Sequence, residues 1–397
     1  MQKVKIPKKI NHDTVEQLIA ALNSNGNDTT DLEVPIDVSY RGFGILSSLF
    51  LLLFKWMRGN PGKLIIAVNE DQVDDIEQFA TSYFGYVFLL TAWPTTTIVD
   101  LKGKNLKPKL REFTSVMYEK IDFLQDLPNN EVLLPCFDHY SNERGLNHWL
   151  YPDQIVFANT PSNLQNTVYR VFETVGKIYK SRFNNVISEI FDDIEIILWE
   201  LLRNTDEHAK TDYLNVINLY PNTRGVYFKI SQSSKDNFLS NAKNSTSLIN
   251  YYEKAMQEGN NFIFEISVFD SGPGLARRYC GEKWEDGISV DEEVDIVKMC
   301  LAKGASSVLN WGGKLKGYGL NDVLELLSKR NGFLKIRSGR TSICRDLINK
   351  PHIATANFSE IELNDWKSDK SSLFTEMPFA EGTSLTMAFP LPKIDAL

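Results

Sequence analysis

Three short segments of this chain combine residue types and spacings that suit nucleotide chemistry. In Glu200-Leu-Leu-Arg-Asn204-Thr-Asp-Glu-His208, a carboxylate and a carboxamide stand four residues apart in a helical pattern and so share one face. In Asp270-Ser-Gly272-Pro-Gly274, a carboxylate ends the apolar run Phe262 to Phe269, and two glycines then let backbone approach a ligand closely. In Lys316-Gly317-Tyr318-Gly319-Leu320, two glycines open a further helical pattern, and a helix start offers unpaired N–H groups to phosphate. Together the three describe a nucleotide site.

The elements that must position these residues follow from hydrophobic periodicity. Helices are expected at Leu164–Lys180, Asn184–Asp206, Asp291–Lys303 and Leu320–Asn331. Strands are expected at Tyr213–Leu219, Val226–Ser231, Phe262–Phe269, Phe333–Arg337 and Ser384–Phe389. Ser233–Asn260 reads as a polar insertion, helical around Leu248–Gln257, and Cys344–Ala380 as a second insertion without a clear pattern. Leu275 to Lys316 reads as a lid, with Gly304, Gly312 and Gly313 around Ser306-Ser307.

The first 140 residues read as α/β. Helices fall at Asp13–Leu22, Gly44–Met57 and Asp71–Tyr83, with an amphipathic stretch at Lys109–Leu127. Strand-like runs fall at Leu32–Val38, Lys63–Val68 and Val132–Phe137, and Tyr86–Ala92 is a further apolar run. Polar, turn-rich sequence from His139 to Asn163 reads as a linker, which sets the expected organisation: an N-terminal α/β domain over 1–140, a linker over 141–163 and a second domain over 164–397. Some 60 residues of the first domain are loosely similar to STAS-type regulatory domains. There, Arg41-Gly-Phe-Gly-Ile-Leu-Ser47-Ser48 would be the turn and helix start carrying the exchangeable hydroxyl; serines that merely cap or pack are the alternative.

The second domain resembles the ATPase domain shared by gyrase, Hsp90, histidine kinases and MutL, the GHKL family. Glu200, Asn204 and His208 match the family's helix-borne N box, and the ending Glu207-His208-Ala209 looks most like the anti-sigma-factor serine kinases. Asp270, Gly272 and Gly274 match its D-x-G-x-G box; Gly317, Tyr318, Gly319 and Leu320 match G-x-G-L; Gly382-Thr383 matches the closing G-T segment. The resemblance implies a Bergerat-type ATP-binding fold, with helices on one face of a mixed sheet. The expected class for the whole chain is thus α/β, an α+β sandwich.

Each residue then acquires an expected role. Asn204 offers a carbonyl oxygen to Mg²⁺, a hard cation that keeps several waters. Glu200 accepts a proton from an attacking water or hydroxyl. Asp270 accepts the exocyclic amino proton of adenine, which selects ATP over GTP. Gly317 and Gly319 free N–H groups for phosphate oxygens, Lys316 adds a charge, and Thr383 completes the adenine pocket as the family suggests.

Bulk properties bound the rest. At 397 residues, two domains are the natural expectation. A composition of 43% apolar and 24% charged residues builds a core without metal or disulfide staples. The net charge is −8, and residues 1–150 carry 15 basic against 19 acidic side chains, so no basic arm indicates nucleic acid. Cys136, Cys280, Cys300 and Cys344 lack the spacing of a zinc site and are expected as reduced thiols. The N-terminus is not expected to be a signal peptide. Ile45 to Trp56 is apolar but, at 12 residues interrupted by Lys55, fits a buried core helix better than a membrane span. The cytoplasm is the expected compartment.

Three functions compete. The leading one is hydrolysis of Mg-ATP, or its use as a conformational switch between the two domains. The runner-up is a serine/threonine protein kinase acting on a partner or on the chain's own first domain. Histidine autokinase activity is disfavoured because the helices before Glu200 contain no histidine and His148 lies in the linker beside Trp149. A non-enzymatic signalling scaffold is the third. A protein partner is expected, and homodimerisation is implied by the resemblance alone.

Overall fold

A computed structural model of the chain describes residues 2–26, 28–40, 42–128, 130–176, 183–243, 245–256, 262–304 and 319–391. Its first part alternates strands and helices: β1 (Gln2–Lys5), α1 (His12–Ser24), β2 (Thr30–Val34), α2 (Ile45–Arg58), β3 (Pro61–Ile66), α3 (Val73–Ala80), α4 (Tyr83–Ala92), β4 (Ile98–Val99) and α5 (Lys107–Phe123). The four strands form a parallel sheet in the order β1-β2-β3-β4. Parallel neighbours need long crossovers, and the intervening helices supply them. Helix starts carry their own signals: the Asn11 side chain accepts the Thr14 N–H (2.9 Å), and Ser82 Oγ accepts the Gly85 N–H (2.9 Å).

The second part comprises β5 (Glu131–Phe137), α6 (Asn142–Gly145), α7 (Gln165–Val175), α8 (Phe183–His208), β6 (Thr223–Gln232), α9 (Lys235–Asn241), α10 (Thr246–Ala255), β7 (Phe262–Asp270), α11 (Leu275–Cys280), α12 (Val290–Leu301), α13 (Gly319–Lys329), β8 (Phe333–Gly339), β9 (Thr341–Asp346), β10 (Asn364–Asp365) and β11 (Ala380–Pro390). Its seven strands run in the order β10-β9-β8-β11-β7-β6-β5. The described residues are therefore mixed α/β, with a parallel and an antiparallel sheet.

Several expectations are corrected here. The larger sheet is antiparallel at every pairing, not mixed, because hairpins and returns rather than crossovers join its strands. β5, read with the first 140 residues, pairs with β6 at the edge of this second sheet. Tyr213–Leu219 is no strand: Asp212 Oδ1 accepts the N–H groups of Val216 and Ile217 (2.8 and 3.0 Å) and folds the segment into a turn. β9 and β10 belong largely to the stretch that showed no pattern. The expected linker is packed: Leu150, Tyr151, Phe157 and Ala158 are buried, and Trp199 Nε1 donates to the Ala158 carbonyl (2.7 Å).

Strand alternation gives the larger sheet two different faces. On one face Phe264 meets Phe172 of α7, and Arg224 meets Asp206 of α8. On the other, Phe269 packs against Phe50 and Phe54 of α2. Helices thus cover both faces, where one was expected. α2 lies between the two sheets, and 12 of its 14 residues are buried, which explains a helix apolar on every side. No helix among the described residues is long and apolar enough to cross a membrane.

A polar seam runs where α1 and α2 meet the sheet. The Gly44 N–H donates to Glu265 Oε1 (3.0 Å), and Ser384 Oγ donates to Ser47 Oγ (2.8 Å). Arg337 grips the Glu16 carboxylate with two nitrogens (2.8 and 2.9 Å), and Lys335 Nζ donates to His12 Nδ1 (2.9 Å). Ser47 and Ser48 are 1% and 4% exposed, so the hydroxyls expected at an exchangeable STAS-like position are closed into this seam. Arg41 lies outside the described residues.

Candidate functional site

α8 presents Glu200, Asn204 and His208 at successive turns. Glu200 is buried at 8% exposure, and its Oε2 accepts from Arg203 Nη2 (2.9 Å). Burial raises the carboxyl pKa, Arg203 pulls it back, and Asp322 and Glu207 add to the rise. A Cβ on Gly319 would stand 2.2 Å from Glu200 Oε2, so the start of α13 lies directly against this carboxylate. Asn204 is half-buried, and among the described residues its carboxamide has no hydrogen-bond partner. His208 is half-buried with Nε2 3.9 Å from Glu207 Oε2, too far for a hydrogen bond.

Asp270 ends β7, a strand on which α8 packs. Thr383 of β11 pairs with it on one side and Arg224 of β6 on the other, and directly opposed residues point to the same face. The Gly272 N–H donates to Asp270 Oδ1 (2.9 Å). Burial pushes the Asp270 carboxyl up to about 7, while the N–H groups of Gly272 and Thr383, and the Arg224 charge, favour its ionised form. Two N–H donors leave acceptor capacity on a carboxylate that offers roughly four lone-pair positions.

Backbone from separate segments closes around these acids. A Cβ on Gly272 would stand 2.7 Å from Ala209 Cα, and one on Gly382 would stand 2.0 Å from the Asp270 carbonyl oxygen. Gly382 also has φ +86°, a conformation that side chains disfavour. After Gly274, the Leu275 N–H donates to Ser338 Oγ (2.9 Å), which is 3.2 Å from Thr383 Oγ1. The structure therefore brings together Glu200 with Gly319, Asp270 with Thr383 and Gly382, and Gly272 with the residue after His208. Leu320 is half-buried in the first turn of α13.

Lys316, Gly317 and Tyr318 lie outside the described residues, as does 305–316 of the expected lid. The earlier part of that lid is packed structure: α11 and α12 occupy it, and Glu293 of α12, 2% exposed, accepts from Arg340 Nε (2.8 Å).

Sequence reasoning missed the groups that hold α8 to the sheet. Arg224, 1% exposed, donates through Nε and Nη2 to Asp138 (both 2.8 Å) and lies 3.2 Å from Asp206. Tyr151 OH and Lys210 Nζ also donate to Asp206, the latter at 2.5 Å. Arg224 offered one signal, a charge opening an apolar strand. The Asn222 side chain, which donates to the Ala209 carbonyl (2.7 Å), offered none.

No protein-family model matches this chain, and comparison with curated proteins and with solved structures returned no match. The functional reading rests on the residues themselves.

Proposed function

We propose that this chain binds Mg-ATP in the manner of the GHKL family and either hydrolyses it or uses it as a conformational signal between its two halves, in the cytoplasm. One observation carries the reading: glycine backbone from three separate motifs closes on the acids Glu200 and Asp270 and on the end of α8. Gly319 abuts Glu200, Gly272 abuts the end of α8 at Ala209, and Gly382 abuts Asp270. A Bergerat-type arrangement is supported by α8, which packs both on α13 and on the strand that carries Asp270.

The residues fit the nucleotide and its metal. The Asn204 carboxamide is uncommitted among the described residues, and Mg²⁺ takes few protein oxygens beside phosphate and water. Among the described residues no group of three or more His, Cys, Asp or Glu side chains is gathered as a metal cage, so phosphate would supply most of the non-water ligands. Bound Mg-ATP supplies a phosphoryl group whose charge the metal neutralises. Asp270 would orient the adenine amino group, the start of α13 would face phosphate, and burial, by raising the Glu200 pKa, strengthens that carboxylate as a proton acceptor. In the conformation described, Arg203 holds the Glu200 carboxylate, and this contact must loosen for the acid to take a proton.

Phosphorylation of a protein partner is the second reading, favoured by Glu207-His208-Ala209 at the end of α8. The burial of Ser47 and Ser48 argues against the start of α2 as acceptor. Incubation with γ-labelled ATP separates the cases. Hydrolysis predicts free phosphate that Glu200→Ala abolishes while binding persists; a kinase predicts label on protein. A pure switch predicts neither, but nucleotide-dependent protection from protease. Normal hydrolysis by Glu200→Ala removes that residue as the base.

A further inference from the structure

α2 reaches from the polar seam to the loop that follows Asp270. Its last residue, Arg58, donates through Nη1 to the Pro221 carbonyl (2.7 Å) and through Nη2 to the Ser271 carbonyl (3.1 Å). The second contact has a consequence set by covalent geometry. The Ser271 carbonyl and the Gly272 N–H belong to one planar trans peptide, and they point in opposite directions. Arg58 holds the oxygen end of that plane, and Asp270 Oδ1 accepts from the nitrogen end (2.9 Å).

The remaining freedom of this loop is narrow. The Ser271 N–H donates to the Thr223 carbonyl (2.9 Å), and the Thr223 N–H donates to Ser271 Oγ (2.9 Å). Those two bonds fix the preceding peptide and the Ser271 side chain. They leave ψ of Ser271, the rotation that turns the next peptide plane. Arg58 meets that plane at its oxygen, and a guanidinium presents its donors in a rigid fork suited to spanning two fixed carbonyls.

We infer that Arg58, on a helix of the first half, is a positioning residue for Asp270. It sets the orientation of peptide 271–272 and hence of the carboxylate that accepts from it, so that the purine-recognising acid is completed by the first half of the chain. The inference rests on the nucleotide reading above and adds its route of regulation. Whatever displaces the end of α2 frees that peptide, swings the carboxylate and weakens base recognition. Linkage makes this reciprocal: nucleotide held by Asp270 resists displacement of α2.

The test uses the full chain with Arg58→Ala, Arg58→Lys and Asp270→Asn, titrated with Mg-ATP and Mg-GTP beside thermal unfolding. Loss of a charge-assisted hydrogen bond predicts that Arg58→Ala weakens ATP roughly tenfold and narrows the preference of ATP over GTP. Arg58→Lys, which keeps the charge but not the fork, is predicted to fall between the two. The preference is the decisive readout, since a merely structural loss weakens both nucleotides together. If Arg58→Ala does not fold, Arg58→Lys decides. If Asp270→Asn loses ATP while the folded Arg58 variants keep wild-type affinity and preference, the positioning role is overturned and the nucleotide reading stands. If wild type binds no ATP, both fall.

Discussion

Gly319 and Glu200 meet without room for a side chain: a Cβ on the glycine would stand 2.2 Å from Glu200 Oε2, the oxygen that also accepts from Arg203 Nη2 at 2.9 Å. The carboxylate midway along α8 is thus held between a guanidinium and the first residue of α13. Any shift of the first residue of α13 is felt at Glu200. That contact ties the candidate base to the candidate phosphate-binding turn.

The contact is measurable as a coupling energy. Gly319→Ala forces the Glu200 carboxylate off Arg203, whereas Glu200→Ala removes the two closest atoms and leaves the residue-200 Cβ at 3.7 Å, an ordinary contact. Urea unfolding of the two single variants and the double variant is expected to show non-additivity of about 1 kcal/mol. Additive effects would mean that the side chain simply swings away.

Gly382→Ala probes the backbone beside Asp270. Its Cβ would stand 2.0 Å from a carbonyl oxygen, which cannot rotate aside as a side chain does, and φ is +86°. The expected destabilisation is roughly 2–4 kcal/mol. Gly287→Ala is the control: its Cβ meets nothing within 4 Å, and its effect is expected to stay within about 0.5 kcal/mol. Thermal unfolding of both variants checks the contrast.

Asp270 predicts a pH dependence with a definite sign. An unfolded Asp titrates near ~3.9, and burial raises Asp270 to about 7. Between those values the folded chain keeps a proton that the unfolded chain has released, so stability falls as pH rises from about 4 to about 7. Glu265 is also raised to about 7, mainly by burial, and adds the same trend. In a Glu265→Gln background, Asp270→Asn is expected to flatten the remaining slope of urea midpoint against pH. ATP affinity should run the other way, strengthening through pH 7 as the accepting carboxylate ionises.

Lys335 predicts the opposite trend at higher pH. Burial lowers it to about 7, Arg337 adds to the lowering, and Glu16, Cys344 and Glu265 oppose it. An unfolded Lys keeps its proton to ~10.4, so stability is expected to rise between about pH 7 and about pH 10. Lys335→Met should remove that rise in the same urea titration. An unchanged profile would assign it to another group.

The elements most legible in the sequence were those with a strong period. α2, α8, α12, α13 and β7 fall within a few residues of their expected bounds, because apolar spacing is a local signal. The place of β5 in the second sheet was not legible, since an apolar strand does not record its partner. The turn after Asp212 carries a strand-like composition that one side-chain carboxylate overrides. At the site, the motif residues stood out by type, but Arg58 and Arg224 act across long sequence separations, and the charge that opens the β6 strand at Arg224 does not name its partners.

The central claim is that Asp270 and Asn204 belong to a Mg-ATP site. Its most direct test is calorimetric titration of the full chain with ATP, with and without Mg²⁺, beside Asp270→Asn and Asn204→Ala. The account predicts wild-type binding that Asp270→Asn loses and that Asn204→Ala weakens or renders insensitive to Mg²⁺. Absence of ATP binding to the folded wild-type chain, or binding that survives Asp270→Asn unchanged, would contradict it.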